Sequence, residues 1–78
     1  MTDGETENGV LEIVREVLDA DPVRLEDDLF DLGFSSLAIV RTAARVRDRF
    51  GAEPALSEYF EAVTVADLVA VVAAARPR

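Results

Sequence analysis

Ser35 and Ser36 stand between Leu32-Gly33-Phe34 and Leu37, at the head of a long amphipathic stretch. A serine hydroxyl so placed has three chemical uses: nucleophile, helix cap, or acceptor of a group that another enzyme adds. A nucleophile needs a base beside it. The chain has no histidine, and all 8 of its basic residues are arginines, so no imidazole or amine can take the proton. Carboxylates are plentiful, but a chain of 78 residues offers no enclosed pocket to raise a pKa for acid catalysis. Glu26, Asp27, Asp28 and Asp31 cluster ahead of the serines, yet lack the alternating oxygen ligands and closing glutamate of a helix-loop-helix calcium site. The absence of cysteine removes disulfides, thiolate nucleophiles and cysteine metal sites. No catalytic residue and no metal site is expected. A helix-start role remains.

The two serines take adjacent positions at the helix start. Ser35 is predicted to be the N-cap, its oxygen accepting from an otherwise unpaired first-turn amide, with Gly33 permitting the turn before it. Ser36 then falls at the first helical position, exposed and beside the positive end of the helix dipole.

The element that positions them is a helix from Ser36 to Phe50, stopped by Gly51. At 100° per residue, Ile39, Thr42, Ala43, Val46 and Phe50 share a face that should meet a core. Leu37, Val40, Arg41, Ala44 and Asp48 lie nearly opposite. Leu37 and Val40 are thus apolar groups with no core to enter, on the side from which Ser36 is approached. Together with Arg41, Ala44 and Phe34 they are expected to form a partner-docking patch.

The remaining pattern is helical throughout. Residues 1–8 are polar, acidic and aperiodic, and read as a flexible leader. Val10, Leu11, Val14, Val17 and Leu18 mark a helix over about 9–20, with Asn8 as cap and Pro22 disfavouring helix at Asp21. Residues 21–35 form a long connection, expected to be pinned by Leu25, Leu29, Phe30 and Leu32. A short helix over Ser57–Phe60, capped by Ser57, should turn Leu56, Phe60 and Tyr59 inward. Thr64 and Asp67 form a capping-box variant for a helix over 65–75, with Val65, Leu68, Val69 and Val72 as its core stripe. Arg76 and Arg78 follow with charges suited to a helix C-terminus. The expected fold is all-α: one domain over 9–76, a small four-helix antiparallel bundle with a long first loop and a short third helix.

Leu32-Gly33-Phe34-Ser35-Ser36-Leu37 resembles the Leu-Gly-x-x-Ser-Leu attachment site of acyl and peptidyl carrier proteins. The stretch from Ser36 to Gly51, with its closing Arg-Phe-Gly, looks like the second helix of carriers from nonribosomal peptide synthetases. Tyr59 to Val69 is similar to their passage from third to fourth helix. The chain departs from the pattern at Val63, usually proline, at Phe34, usually a second glycine, and at Ser35, often histidine or aspartate. In all, the resemblance covers about residues 10–75.

This resemblance implies that Ser36 carries covalent phosphopantetheine, transferred from coenzyme A by a phosphopantetheinyl transferase. Cargo would ride on its thiol as a thioester, tethered at high effective concentration near each partner's active site. The implied role is a free-standing peptidyl carrier in natural-product or antibiotic biosynthesis. Its implied partners are an adenylation or acyltransferase loading enzyme and downstream condensation or tailoring enzymes. An acyl carrier for polyketide or fatty acyl units is the alternative within the family. A non-carrier helical interaction module is the alternative outside it.

Charge bounds the other classes. A formal charge of -8, from 16 acids and 8 bases, opposes nucleic-acid and anionic-membrane binding. Arg41, Arg45, Arg47 and Arg49 point around their helix at different angles, so they make no coherent basic face for a DNA groove. There is no apolar run of about 18 residues, and the acidic start does not look like a signal peptide. A soluble, cytoplasmic monomer is expected.

Overall fold

The computed structural model describes residues 4–77. Four helices follow in order: α1 (Gly4–Leu18), α2 (Ser36–Phe50), α3 (Leu56–Glu61) and α4 (Val65–Ala75). Among the described residues there is no strand, only an isolated antiparallel bridge between Asp28 and Thr64. α1 packs on α2 and α4, while α3 closes the bundle against α2 and α4. The core joins Val10, Ile13 and Val14 of α1 to Ile39 and Val46 of α2 and to Val65, Leu68 and Val72 of α4. None of the described helices is long and apolar enough to cross a membrane.

α1 starts at Gly4, well before the expected residue 9, so Asn8 is an interior helical residue and not a cap. Glu5 and Glu7 favour its first turn by facing the positive end of the dipole. Thr6 is fully buried, and its Oγ1 accepts from Arg76 Nη1 at 2.7 Å. The Arg76 guanidinium also lies 5.0 Å from the Phe50 ring centroid and 3.4 Å from Glu5. Residues 4–8 are therefore held by the far end of the chain. The first three residues of the expected leader, and Arg78, lie outside the described residues.

At its other end α1 stops at Leu18, two residues earlier than expected. Asp19 takes a left-handed conformation (φ 50°), and the Ala20 amide donates to the Arg15 carbonyl at 3.1 Å. That closure satisfies an orphan carbonyl before Pro22 has any say.

The start of α4 behaves as its sequence suggests. Thr64 Oγ1 accepts from the Asp67 amide at 3.2 Å, and Asp67 Oδ2 accepts from the Thr64 amide at 3.1 Å.

Three residues expected to turn inward, Phe30, Leu56 and Phe60, face the other way. Phe30 is 87% exposed, and the pin is its neighbour Leu29, at 1%. The backbone explains this: the Leu29 amide donates to the Val63 carbonyl at 2.9 Å, and Asp27 O accepts from the Val65 amide at 3.0 Å. Side chains on either side of such a bridge alternate, so seating Leu29 leaves Phe30 outside. In α3, Tyr59 alone is buried, whereas Leu56 and Phe60 are exposed. Positions four apart share one stripe, and here that stripe runs along the edge of the bundle. α3 also begins at Leu56 with Ala55 as cap residue, where the Glu58 carboxylate accepts from the Ala55 amide at 3.0 Å, so Ser57 is not the cap.

Candidate functional site

The loop before α2 is wound around the carbonyl of Leu29, which accepts from the amides of Leu32 at 3.1 Å and Phe34 at 3.0 Å. Gly33 closes the turn at φ 89°, a conformation a side chain would strain. Asp27 and Asp28 serve the loop itself: their carboxylates accept from the amides of Arg24 at 2.9 Å and Asp31 at 3.1 Å. Asp27 and Asp28 are thus turn formers, anchored to the start of α4 by the bridge described above.

Ser35 is extended (φ -76°, ψ 174°), and its Oγ accepts from the Ala38 amide at 3.3 Å. It is the N-cap. Ser36 is the first residue of α2 and is exposed. No acid occupies the first turn of α2, so the positive helix end beside Ser36 is left unneutralised. Ser36 shares a hollow of about 300 Å³ with Leu29, Phe34, Ile39, Tyr59 and Phe60.

Leu37 and Val40 are 60% and 58% exposed, and Arg41 and Ala44 lie exposed on the same helix face. Ala43 and Ala44 help to line a second hollow of about 270 Å³, closed by Arg47, Glu53 and Tyr59. Phe34 is only half-buried and packs against the core, so it contributes an edge rather than a projecting ring. Arg45 and Arg49 are drawn to α1, pairing with Glu16 at 2.8 Å and Glu12 at 2.6 Å. Arg41 has no ion-pair partner among the described residues. The sequence reading missed Phe30 and Phe60 as surface groups, and both border the hollow at Ser36.

Tyr59 forms the wall between the two hollows. Burial, with the Glu58 charge adding to it, pushes its phenol up to about 12. Its hydroxyl and that of Thr42 are buried without a hydrogen-bond partner among the described residues.

A family model described as the phosphopantetheine attachment site matches residues 8–72. The chain belongs to that family. Malpibaldin synthetase of Mortierella alpina is 45% identical over 65 residues, covering 83% of this chain and 1% of its own length. Surfactin synthase subunit 1 of Bacillus subtilis is 39% identical over 70 residues, 90% of this chain and 2% of its own length. Bacitracin synthase 2 of Bacillus licheniformis is 33% identical over 69 residues, 88% of this chain and 3% of its own length. The chain therefore spans only 1% to 3% of these curated relatives.

As a member of the phosphopantetheine attachment family the chain is a carrier, and phosphopantetheine is its prosthetic group. The site fits such a group. An exposed hydroxyl at an unneutralised helix N-terminus suits a phosphodiester, and the apolar hollow beside it suits a slender chain.

Proposed function

We propose that Ser36 is the attachment residue and that the cargo is an aminoacyl or peptidyl group. The observation that carries this reading is the division of labour between the two serines. Ser35 is committed to capping, while Ser36 is exposed at the first position of α2, at the mouth of the hollow. When bound, phosphopantetheine supplies a terminal thiol that carries cargo as a thioester.

The chain's own residues do the positioning. On the transferase, Ser36 Oγ would give up its proton and form a phosphodiester with the pantetheine-side phosphorus of coenzyme A, as the pyrophosphate bond breaks and adenosine 3′,5′-bisphosphate leaves. The first-turn amides of α2 face the resulting phosphate. Leu37 and Val40 offer apolar contact to a partner, and Arg41 selects its orientation. With no histidine, lysine or cysteine in the chain, the partners supply the chemistry and this domain supplies none. Those partners are a phosphopantetheinyl transferase, a loading adenylation enzyme and a downstream condensation or tailoring enzyme. The carrier unit takes in α1 from Gly4 and works as a cytoplasmic monomer.

The peptidyl assignment draws on the synthetase relatives and on the Arg-Phe-Gly close of α2. Loading assays decide it. A cognate adenylation enzyme is expected to place an amino acid on the arm. Efficient loading by a malonyl transferase, with no amino acid accepted, would make the carrier an acyl one.

A further inference from the structure

We propose that Asn8–Gly9 is a self-modification site, converted through a succinimide to aspartate and isoaspartate whenever the first turn of α1 opens, and that the clasp of Arg76 on Thr6 sets how often it opens.

The fold itself creates the reactive pair. Gly9 is buried under Phe50, where a Cβ would collide with Phe50 Cζ, so packing selects glycine at this position. A glycine amide is the least hindered nucleophile for the side chain that precedes it, and that side chain is the exposed carboxamide of Asn8. In the open chain the Gly9 nitrogen loses its proton to solvent and attacks Asn8 Cγ; the Cγ–Nδ2 bond breaks and ammonia leaves. Water then opens the ring at either carbonyl. One product is aspartate; the other is isoaspartate, whose backbone runs through Cβ and is one methylene longer. Water enters, ammonia leaves, and nothing is oxidised or reduced.

The helix blocks that attack. Within α1 the Gly9 amide faces the carbonyl of Glu5, four residues back, which holds its nitrogen away from Asn8 Cγ. That bond is among the first of the helix, where fraying begins. What resists fraying there comes from the other end of the chain. Thr6 is fully buried and accepts from Arg76 Nη1 at 2.7 Å, while Glu5 lies 3.4 Å from the same guanidinium. That guanidinium rests 5.0 Å from the Phe50 ring centroid, so Phe50 both imposes Gly9 and seats its guard. The pair thus lies at the Phe50 end of α2, the far end from Ser36.

Asn8 is the only asparagine and the chain has no glutamine, so ammonia release with the matching mass gain reports this residue alone. The full chain is incubated at mildly alkaline pH while intact mass and released ammonia are followed. The folded parent is expected to convert roughly tenfold or more slowly than the same chain unfolded in guanidinium chloride. Arg76→Met and Thr6→Val remove the clasp without introducing an amide. Each should convert about tenfold faster than the folded parent, the effect of losing one hydrogen bond to a charged group. Thr64→Ala weakens the fold from the α4 cap instead and should convert at the parental rate. Parental rates in both folded clasp variants, or an equal acceleration in Thr64→Ala, overturn the role of Arg76. A folded parent that converts as fast as the unfolded chain overturns the protection by α1, and an unfolded chain that releases no ammonia overturns the site itself.

Discussion

The amide of Leu29 donates to the carbonyl of Val63 at 2.9 Å, tying the loop that presents Ser36 to the residue just ahead of the α4 cap. Through this bond the loop ahead of α2 is not a free strap between helices. Its register depends on the same turn that starts α4, where Asp67 accepts from the amides of both Val63 and Thr64.

That junction titrates. Hydrogen bonds from the backbone of Thr64, and secondarily of Val63, hold the Asp67 carboxyl below its ordinary value. A depressed folded-state pKa contributes stability above the unfolded pKa, and that contribution disappears as pH falls through the folded value. Asp67→Ala should therefore be less stable than the parent at neutral pH. The gap should close on acidification below the ordinary aspartate range. Chemical denaturation of both proteins across acidic pH measures it; a gap independent of pH would detach Asp67 from the effect.

Gly9 lies under Phe50, and a Cβ there would collide with Phe50 Cζ. Alanine normally gains about 1 kcal/mol over glycine inside a helix. Here overpacking should outweigh that gain, leaving Gly9→Ala destabilised by about 1–3 kcal/mol. Displacing Phe50 would also disturb the seat of Arg76 and its bond to Thr6. Urea unfolding of the variant checks the sign.

Much of this was legible in sequence where a local rule governs. Ser35 and Gly51 bound α2, and the Thr64–Asp67 pair the start of α4, to the residue, because caps act through neighbours three or four positions away. The start of α1 was not legible, since its burial of Thr6 depends on Arg76 at the opposite end of the chain. Phe30 and Phe60 were misread for a related reason. Neither a pinned loop nor a six-residue helix has enough periodicity to say which of two adjacent apolar residues turns inward. At the site, the cap rule placed Ser35, while Ser36 was singled out by the resemblance to the Leu-Gly-x-x-Ser-Leu pattern; the orphaned Tyr59 hydroxyl emerged only from packing.

The exposed face of α2 makes a separable prediction. Val40→Asp or Arg41→Glu should slow transfer by the cognate loading enzyme roughly five- to tenfold, the effect of losing about 1 kcal/mol at a docking contact. Thermal unfolding should stay nearly unchanged, because both side chains are exposed. Loading at the parental rate in both variants would move the docking surface to the acidic loop from Glu26 to Asp31.

Capping and attachment also separate by mutation. Ser35→Ala removes the acceptor of the Ala38 amide and should cost about 1 kcal/mol of stability. It should leave the protein fully modifiable, as calorimetry and modification of the same sample will show.

The central claim is tested most directly by intact mass after incubation with coenzyme A and a broad-specificity phosphopantetheinyl transferase. The parent is predicted to gain the mass of one phosphopantetheinyl group, and Ser36→Ala to gain none while unfolding cooperatively near the parental temperature. A folded Ser36→Ala that still gains this mass would contradict the assignment of Ser36.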